Sequence, residues 1–159
     1  MRHATRDDLP AVKAMVREFL DYLDAIEGPD DGPVGSEALD RLEVLAFGDR
    51  PVCTVLIAER DGRAAGYMVY ALGVDMDRVA PSLHIADLFV RAPDRRTGVG
   101  RALMKAAAAI ARVQDIPTMF WTVWRKNPPA IAFYERIGAI AVDEEIPMAL
   151  RVGPGQRGD

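Results

Sequence analysis

The stretch RRTGVGRALMKAAAAIARV, residues 95–113, decides how the rest of the sequence is interpreted. From residue 99 onward its apolar side chains recur at intervals of three and four, which is the period of one face of an α-helix. Gly98 and Gly100 stand at the start of this pattern, although glycine is a poor helix former. We therefore predict a helix over residues 99–114 whose N-terminus lets another molecule come close.

The start of this helix has the features of an anion site. An apolar strand, predicted at residues 82–90, leads through a loop into the helix, so unpaired backbone N–H groups point outward. Arg95 and Arg96 add charged donors suited to phosphate oxygens. The structural alternative is a plain helix start with solvated arginines. Neither a P-loop nor a dinucleotide fingerprint fits, since the first has no match and the second needs a small residue where Leu103 stands.

Length and composition limit the class of protein. With 159 residues, half of them hydrophobic, the chain suits one domain, predicted at residues 1–152, followed by a disordered tail at 153–159. The net charge of −4 argues against general nucleic-acid binding. Cys53 is the only cysteine, so internal disulfides and cysteine-rich zinc sites are excluded, and no metal is expected. Without a signal-peptide pattern or a membrane-length apolar run, we expect a cytoplasmic protein.

The remaining elements alternate between strands and helices. Asp7 is predicted to cap the first helix, and Asp61-Gly62 is a turn signal between two apolar strands. In chain order we predict a strand at 2–4, a helix with Pro10 in its first turn, a loop at 27–35, a helix at 36–47, strands at 52–59, 64–72, 82–90 and 118–124, a short helix at 128–138 and a last apolar segment at 146–152. The strands that carry Leu88 and Val123 should be parallel neighbours, because a helix connects them.

Two blocks of the sequence resemble the GNAT superfamily of acyl-CoA-dependent N-acetyltransferases. The first is Arg-x-x-Gly-x-Gly at residues 95–100, preceded by the strand ending at residue 90. The second is Asn-x-x-Ala-x-x-Phe-Tyr-Glu-x-x-Gly at residues 127–138. The resemblance covers most of the chain. It implies a single-domain α/β (α+β) fold with a mixed, mostly antiparallel sheet flanked by helices, whose central parallel strands splay apart near the coenzyme.

The resemblance also implies how acetyl-CoA, the acyl donor, would bind. The backbone amides from Arg95 to Arg101 would hold its pyrophosphate, and its pantetheine arm would pair with the strand backbone as an extra strand. The positions implied in cofactor binding are Leu88, Phe89, Val90, Arg95, Arg96, Thr97, Gly98, Val99, Gly100, Arg101, Asn127, Ala130 and Tyr134.

Direct attack of an amine on the thioester needs a base and an acid. Tyr134 matches the family's acid, which would protonate the leaving thiolate; the structural alternative is that it only packs beside Phe133. Related enzymes often carry a glutamate in the strand at 82–90, and none is present here. His84 or Asp87 is therefore the candidate base, with Asp87 acting through a water. Regular alternation would place His84 and Leu88 on one face, and Asp87 on the other.

The substrate is less defined by the sequence than the reaction. The ending Gly138-Ala139 resembles the diamine and polyamine acetyltransferase branch, and an acidic loop would suit a polycationic amine; its members are Asp21, Asp24, Glu27, Asp30 and Asp31. A solvated charged face is the alternative. The expected partner is a small-molecule amine, without nucleic acid or membrane, and a homodimer stays open. An acyl-CoA-binding regulatory module and a protein N-terminal or lysine acetyltransferase are the alternative functions.

Overall fold

The computed structural model describes residues 1–27, 36–142 and 147–148. Outside the described residues lie positions 28–35 of the loop predicted at 27–35, most of the apolar segment at 146–152 and the tail at 153–159; Glu27 itself belongs to α1. The elements are β1 (Arg2–His3), α1 (Leu9–Glu27), α2 (Ser36–Phe47), β2 (Thr54–Arg60), β3 (Arg63–Asp75), β4 (Ala80–Val90), α3 (Val99–Val113), β5 (Thr118–Phe120) and α4 (Pro128–Arg136), with 3-10 turns at Arg6–Asp8 and Ala92–Asp94. No helix among the described residues has the length and apolar character needed to cross a membrane.

The described strands form one mixed sheet in the order β1-β2-β3-β4-β5. The first three pairs are antiparallel, and only β4 and β5 are parallel. This confirms the predicted fold class and the parallel neighbours that α3 connects. The β2–β3 turn is also confirmed: Asp61 and Gly62 both have positive φ, 52° and 74°, as a tight hairpin turn requires.

The strand predicted at 118–124 is shorter than expected. β5 ends at Phe120, which is the partner of His84, and the next residues leave the sheet. Val123, predicted to lie in this strand, is therefore beyond its end. Trp121 instead packs on Tyr134, with ring centroids 5.0 Å apart. In the described part of the chain, all of β5 pairs with β4, but only residues 82–84 of β4 take part, and the chain after Phe120 leaves the edge of β4.

A β-bulge at Ala86 changes the faces of β4. Val69 pairs with Asp87 and the next residue, Tyr70, pairs with Ile85, so Ala86 is an extra residue. As a result Ile85 and Leu88 pack in the same core. The predicted alternation was therefore wrong. The side chain of Asp87 lies on the same face of the sheet as that of His84, and the side chain of Ile85 lies on the other face.

Each face of the sheet carries its own apolar core. The α3 face includes Met68, Leu83, Ile85, Leu103 and Ala107. The α1 face includes Val12, Met15, Val55, Tyr67 and Phe89. Because neighbouring residues of β4 contribute to different cores, the strand is fixed from both sides where it separates from β5.

The first helix begins differently from the prediction. Thr5 precedes the 3-10 turn, and its amide and hydroxyl both donate to the Asp8 carboxylate, at 2.8 and 3.1 Å. Asp8, rather than Asp7, is thus the capping carboxylate, because it stands three residues after Thr5. Arg2 also binds Asp8 at 2.6 Å, and these contacts hold the pKa of Asp8 well below its usual range.

Candidate active site

The loop at residues 95–101, here called the phosphate loop, presents a row of free amides. The first backbone hydrogen bond of α3 is donated by the Ala102 amide to the Gly98 carbonyl at 2.9 Å. Before the loop, the Arg95 amide donates to the Ala92 carbonyl. Within the described part of the chain, the amides of residues 96–101 have no protein acceptor. Gly98 has φ 94° and an added Cβ would meet nothing within 4 Å, so the amides are open to an anion.

Gly100 also has a packing role, which the sequence analysis did not predict. A Cβ at this position would lie 3.3 Å from Cζ of Phe133 and 3.6 Å from Cγ2 of Val90. The missing side chain therefore allows α3 to approach α4 and β4, whereas the missing side chain of Gly98 leaves the anion seat open. A large residue at position 100 would disturb packing as well as binding.

A buried carboxylate that the sequence analysis missed anchors the phosphate loop. Asp94 is 1% exposed and accepts two hydrogen bonds from Arg63, the first residue of β3, at 2.6 and 2.9 Å. The hydroxyl of Thr97 donates to Asp94 O at 2.6 Å. The Arg63 hydrogen bonds lower the pKa of Asp94. The loop that carries the free amides is therefore fixed to the hairpin before any ligand binds.

Replacing Asp94 with asparagine is expected to raise the Kd for acetyl-CoA several-fold with little change in kcat at saturation. The substitution removes the charge that holds Arg63, so the loop amides lose their fixed arrangement although no ligand contact is removed. Isothermal titration calorimetry measures the change. Asp61→Asn is the matched control, since Asp61 is exposed on the same hairpin. Equal affinities for the Asp94 variant and the wild type would show that the anchor does not serve binding.

Next to the phosphate loop, β4 has an open edge. Pairing with β5 ends at His84, and no described strand covers that edge of residues 85–90. The side chains of Leu88, Phe89 and Val90 point into the two cores. These residues can therefore offer backbone donors and acceptors to an extended amide-rich molecule, as predicted for the pantetheine arm. The loop therefore offers free amides directly beside an unpaired strand backbone.

Arg95 and Asn127 are brought together by Tyr22 of α1, which the sequence analysis did not select. The Arg95 guanidinium lies 4.5 Å from the centre of the Tyr22 ring, and its Nε donates to Val90 O at 3.0 Å. The Tyr22 hydroxyl donates to Oδ1 of Asn127 at 3.0 Å. Asn127 is buried and caps α4 by accepting from the Ala130 amide at 3.3 Å. α1 and α4 therefore meet beside the phosphate loop.

Tyr134 lies between aromatic rings at the place where β4 and β5 separate. Its ring centroid is 5.0 Å from that of Trp121 and 5.1 Å from that of Phe133. Burial, and secondarily the negative charge of Asp87, raise the pKa of Tyr134 to about 12. The hydroxyl thus stays protonated at neutral pH and can donate a proton.

The acidity of Asp87, on β4, is changed by its surroundings. Burial raises its pKa to about 6, against the opposing effect of hydrogen bonds from the Tyr67 hydroxyl and the Leu88 amide. A carboxylate with this pKa is ionised at neutral pH and is still a stronger base than an ordinary aspartate. His84 lies on the same face but is exposed. Asp87 and Tyr134 are near enough for the charge of Asp87 to raise the pKa of Tyr134.

The predicted acidic loop is not a loop in its first part. Asp21 and Asp24 lie in α1, whose helical pattern continues to Glu27. Asp30 and Asp31 lie outside the described residues. The two aspartates of α1 are thus held on a helix, and the predicted grouping with the loop residues is untested.

A parallel strand pair whose pairing ends beside a row of free amides is what the resemblance to the acetyltransferase family implied. The chain belongs to the Acetyltransferase (GNAT) family, whose model matches residues 15–139. This confirms the resemblance drawn from the two sequence blocks.

Curated relatives match parts of the chain. It is 31% identical to streptothricin acetyltransferase of Streptomyces lavendulae over 131 residues, which are 82% of this chain and 60% of that protein. It is 41% identical to thialysine N-epsilon-acetyltransferase of Caenorhabditis elegans over 61 residues, 37% of each chain. L-ornithine N5-acetyltransferase of Arabidopsis thaliana is 33% identical over 75 residues, 47% of this chain and 33% of the relative. The matches span between one third and three fifths of the relatives' lengths.

Solved structures share the fold over nearly the whole chain. An integron cassette protein from the mobile metagenome of V. cholerae superposes with a TM-score of 0.76 at 22% identity, covering 97% of this chain and 92% of that one. An aminoglycoside acetyltransferase from an uncultured soil metagenomic sample has a TM-score of 0.70 at 18% identity, covering 96% and 95%. At these identities the likeness establishes the fold alone.

Proposed function

We propose that the protein is an N-acetyltransferase that moves an acetyl group from acetyl-CoA to a primary amine of a small molecule by direct attack in a ternary complex. The observation that carries this proposal is the arrangement of the phosphate loop, the open edge of β4 and the pair Asp87 and Tyr134. Membership of the GNAT family supports it. The names of the three curated relatives, which mention streptothricin, thialysine Nε and ornithine N5, support a small amine as acceptor.

Asp87 acts as the base in the proposed reaction. An alkyl ammonium has a pKa of about 10 and must lose a proton before its nitrogen can attack the thioester carbon. The Asp87 carboxylate takes that proton directly or through a water. Its raised pKa makes the Asp87 carboxylate a better proton acceptor than an exposed aspartate. An amine buried next to it would also lose its charge more easily, because burial disfavours the ammonium form. His84 is the second candidate, supported by its position on the same face of β4.

Tyr134 acts as the acid. When the tetrahedral intermediate collapses, the C–S bond breaks, the thiolate of CoA leaves with the electron pair and takes the Tyr134 proton, and the second proton lost by the attacking nitrogen restores the Tyr134 hydroxyl. Backbone N–H groups on the open edge of β4 would polarise the thioester carbonyl and stabilise the oxyanion. No metal is needed for any of these steps.

The assembly and location of the protein remain predictions. We propose a cytoplasmic protein, with a homodimer as the assembly to be tested, and without nucleic acid, membrane or metal as partners. The net charge of −4 supports the exclusion of nucleic acid. The aspartates on α1 support a cationic acceptor, with a polyamine among the candidates.

Replacing Arg95 with alanine is expected to weaken acetyl-CoA binding by about 1.5–3 kcal/mol, as for loss of a charge-assisted phosphate contact. The guanidinium lies on Tyr22 and is held at Val90 O by Nε, so its terminal nitrogens remain for the ligand. Calorimetry measures the Kd. Arg112→Ala is the control, because Arg112 is exposed at the opposite end of α3. A loss confined to Arg95→Ala supports the proposal; equal affinities in both variants would contradict it.

Release of free thiol from acetyl-CoA across a panel of amines tests the proposed function. The panel contains a polyamine, ornithine, thialysine, streptothricin, an aminoglycoside and a peptide with a free N-terminus and a lysine. We expect release that depends on a small-molecule amine. Binding of acetyl-CoA without release on any amine would favour the regulatory module instead, and release only with the peptide would favour a protein acetyltransferase.

A further inference from the structure

The Tyr67 hydroxyl lies inside the protein and has one hydrogen-bond partner among the described residues, the Asp87 carboxylate. Tyr67 is 0% exposed, in the middle of β3, and donates to Oδ2 of Asp87 on β4. A hydroxyl buried without a partner is costly, and a partner that is itself charged gives a stronger bond. The ring is fixed by the α1-face core and lies 6.1 Å from the ring of Phe89.

The bulge at Ala86 is what makes this contact available. Without the extra residue, Asp87 would share the face of Ile85 and its partner would come from the α3-face core. With it, Asp87 faces the same core as Tyr67, which pairs with Phe89 two residues further along. The Tyr67 hydroxyl donates to Oδ2, and the Leu88 amide is the second donor to the same carboxylate.

We propose that Tyr67 is a positioning residue for acetyl transfer: its hydroxyl fixes the orientation of the Asp87 carboxylate and stabilises its ionised form. This inference rests on the proposed function, because it assigns to Asp87 the role of base. Tyr67 itself touches neither substrate. Its effect is exerted through the orientation and protonation of Asp87.

The other titratable groups near Asp87 do not donate a hydrogen bond to its carboxylate among the described residues. Tyr134 of α4 is near enough for its pKa to respond to Asp87, and His84 is exposed on the same strand. On the helices of this face, Glu18 binds Arg91 at 3.0 Å and Arg95 lies on Tyr22. Two further pairs, Lys13 with Asp40 and Arg6 with Glu43, join α2 to α1 and to the turn before it. Tyr67 is therefore the group that donates directly to the carboxylate from another strand.

Tyr67→Phe tests the inference through the pH dependence of kcat/KM. The variant loses a hydrogen bond that favours ionised Asp87, so the pKa of Asp87 rises and the acidic limb of the profile should move upward by about one pH unit. At pH 7 this lowers kcat/KM by about twofold, and well below pH 6 by about tenfold, with a KM for acetyl-CoA near that of the wild type. Tyr70→Phe is the matched control: Tyr70 is 6% exposed on the same strand and faces the opposite core.

A second readout does not depend on activity. The ¹³C shift of the Asp87 carboxyl, assigned by comparison with Asp87→Asn, should titrate at higher pH in Tyr67→Phe than in the wild type. Should that variant fail to fold, 3-fluorotyrosine placed at position 67 is a stronger donor on the same ring, and both readouts should then move to lower pH. If the variant folds and neither the acidic limb of its pH profile nor its ¹³C titration moves, the inference is overturned. The proposed function still stands in that case, provided that the wild type releases thiol in an amine-dependent way. Absence of that release in the wild type would instead overturn the proposed function.

Discussion

Tyr134→Phe is expected to lower kcat by about 10²–10⁴-fold with little change in the KM for acetyl-CoA, because only the proton donor is lost. The ring keeps its contacts with Trp121 and Phe133. A thiol has a pKa of about 8.5, below the value of about 12 to which burial raises Tyr134. Because the pKa of the thiol is low, its thiolate is a moderate leaving group even without a proton donor. The expected loss of kcat therefore lies toward the lower end of the range.

Steady-state kinetics on the best amine of the panel measure this effect. Pre-steady-state thiol release must first show that chemistry limits the rate, since slow product release would hide the loss. Tyr70→Phe serves as the control for removing a buried phenol. A Tyr134 variant with the kcat of the wild type under these conditions would leave Tyr134 as a packing residue beside Phe133.

Asp87→Asn is expected to reduce kcat by about 10²–10⁴-fold, because an amide cannot accept the ammonium proton. Its geometry is preserved, since Oδ1 of asparagine can still accept from Tyr67. In the wild type, kcat/KM should fall below pH 6 as Asp87 becomes protonated. His84→Gln distinguishes the two candidate bases: loss of activity in the histidine variant, with activity kept in Asp87→Asn, would transfer the role to His84.

Asp87→Asn should also stabilise the folded protein at neutral pH. The pKa of Asp87 is raised from 3.8 to about 6 in the folded protein, so ionisation there costs about 2–3 kcal/mol relative to the unfolded chain. This penalty is fully present above pH 6 and is lost as the pH falls toward the unfolded pKa. Asp87→Asn should therefore raise the free energy of unfolding by that amount at pH 8 and by much less at pH 4.

Urea unfolding at pH 8 and pH 4 measures the difference between the variant and the wild type. A gain in stability accompanied by a loss of activity is what a residue kept for function would show. A variant as stable as the wild type at pH 8, or a gain that is equal at both pH values, would mean that Asp87 is not held in an environment that opposes its charge.

The helix start and the strand before it could be predicted because local patterns determine them. The apolar period from residue 99, the glycine at residue 98 and the Asp61-Gly62 turn each constrain the backbone within a few residues. The bounds of α2 follow in the same way, and Ser36–Phe47 agrees with the prediction. Elements whose signal lies in neighbouring residues were therefore predicted well.

The bulge at Ala86 could not be predicted from the sequence. A single inserted residue leaves no compositional mark, yet it reverses the faces of every residue that follows. Asp87 was selected as a candidate base, but its partner Tyr67 depends on this reversal. The end of β5 at Phe120 could not be predicted either. The sequence TMFWTVW has the composition of one apolar strand, but its pairing with β4 stops after three residues.

Long-range polar contacts were also missed. Arg63 and Asp94 are 31 residues apart, and both occur in segments that have the composition of ordinary turns. Gly100 belonged to a correct motif, but the reason for glycine there is the ring of Phe133, which only the packing of α4 against α3 reveals. Such roles depend on which elements meet, and that is a property of the tertiary fold.

The most direct test of the central claim is mass spectrometry of the amine after incubation with acetyl-labelled acetyl-CoA and the purified protein. The account predicts that the labelled acetyl group appears on the amine in an amount equal to the free thiol released. It also predicts that Asp87→Asn and Tyr134→Phe each suppress both signals while acetyl-CoA binding persists. Thiol release without labelled amine, or label transferred equally well by both variants, would contradict the account.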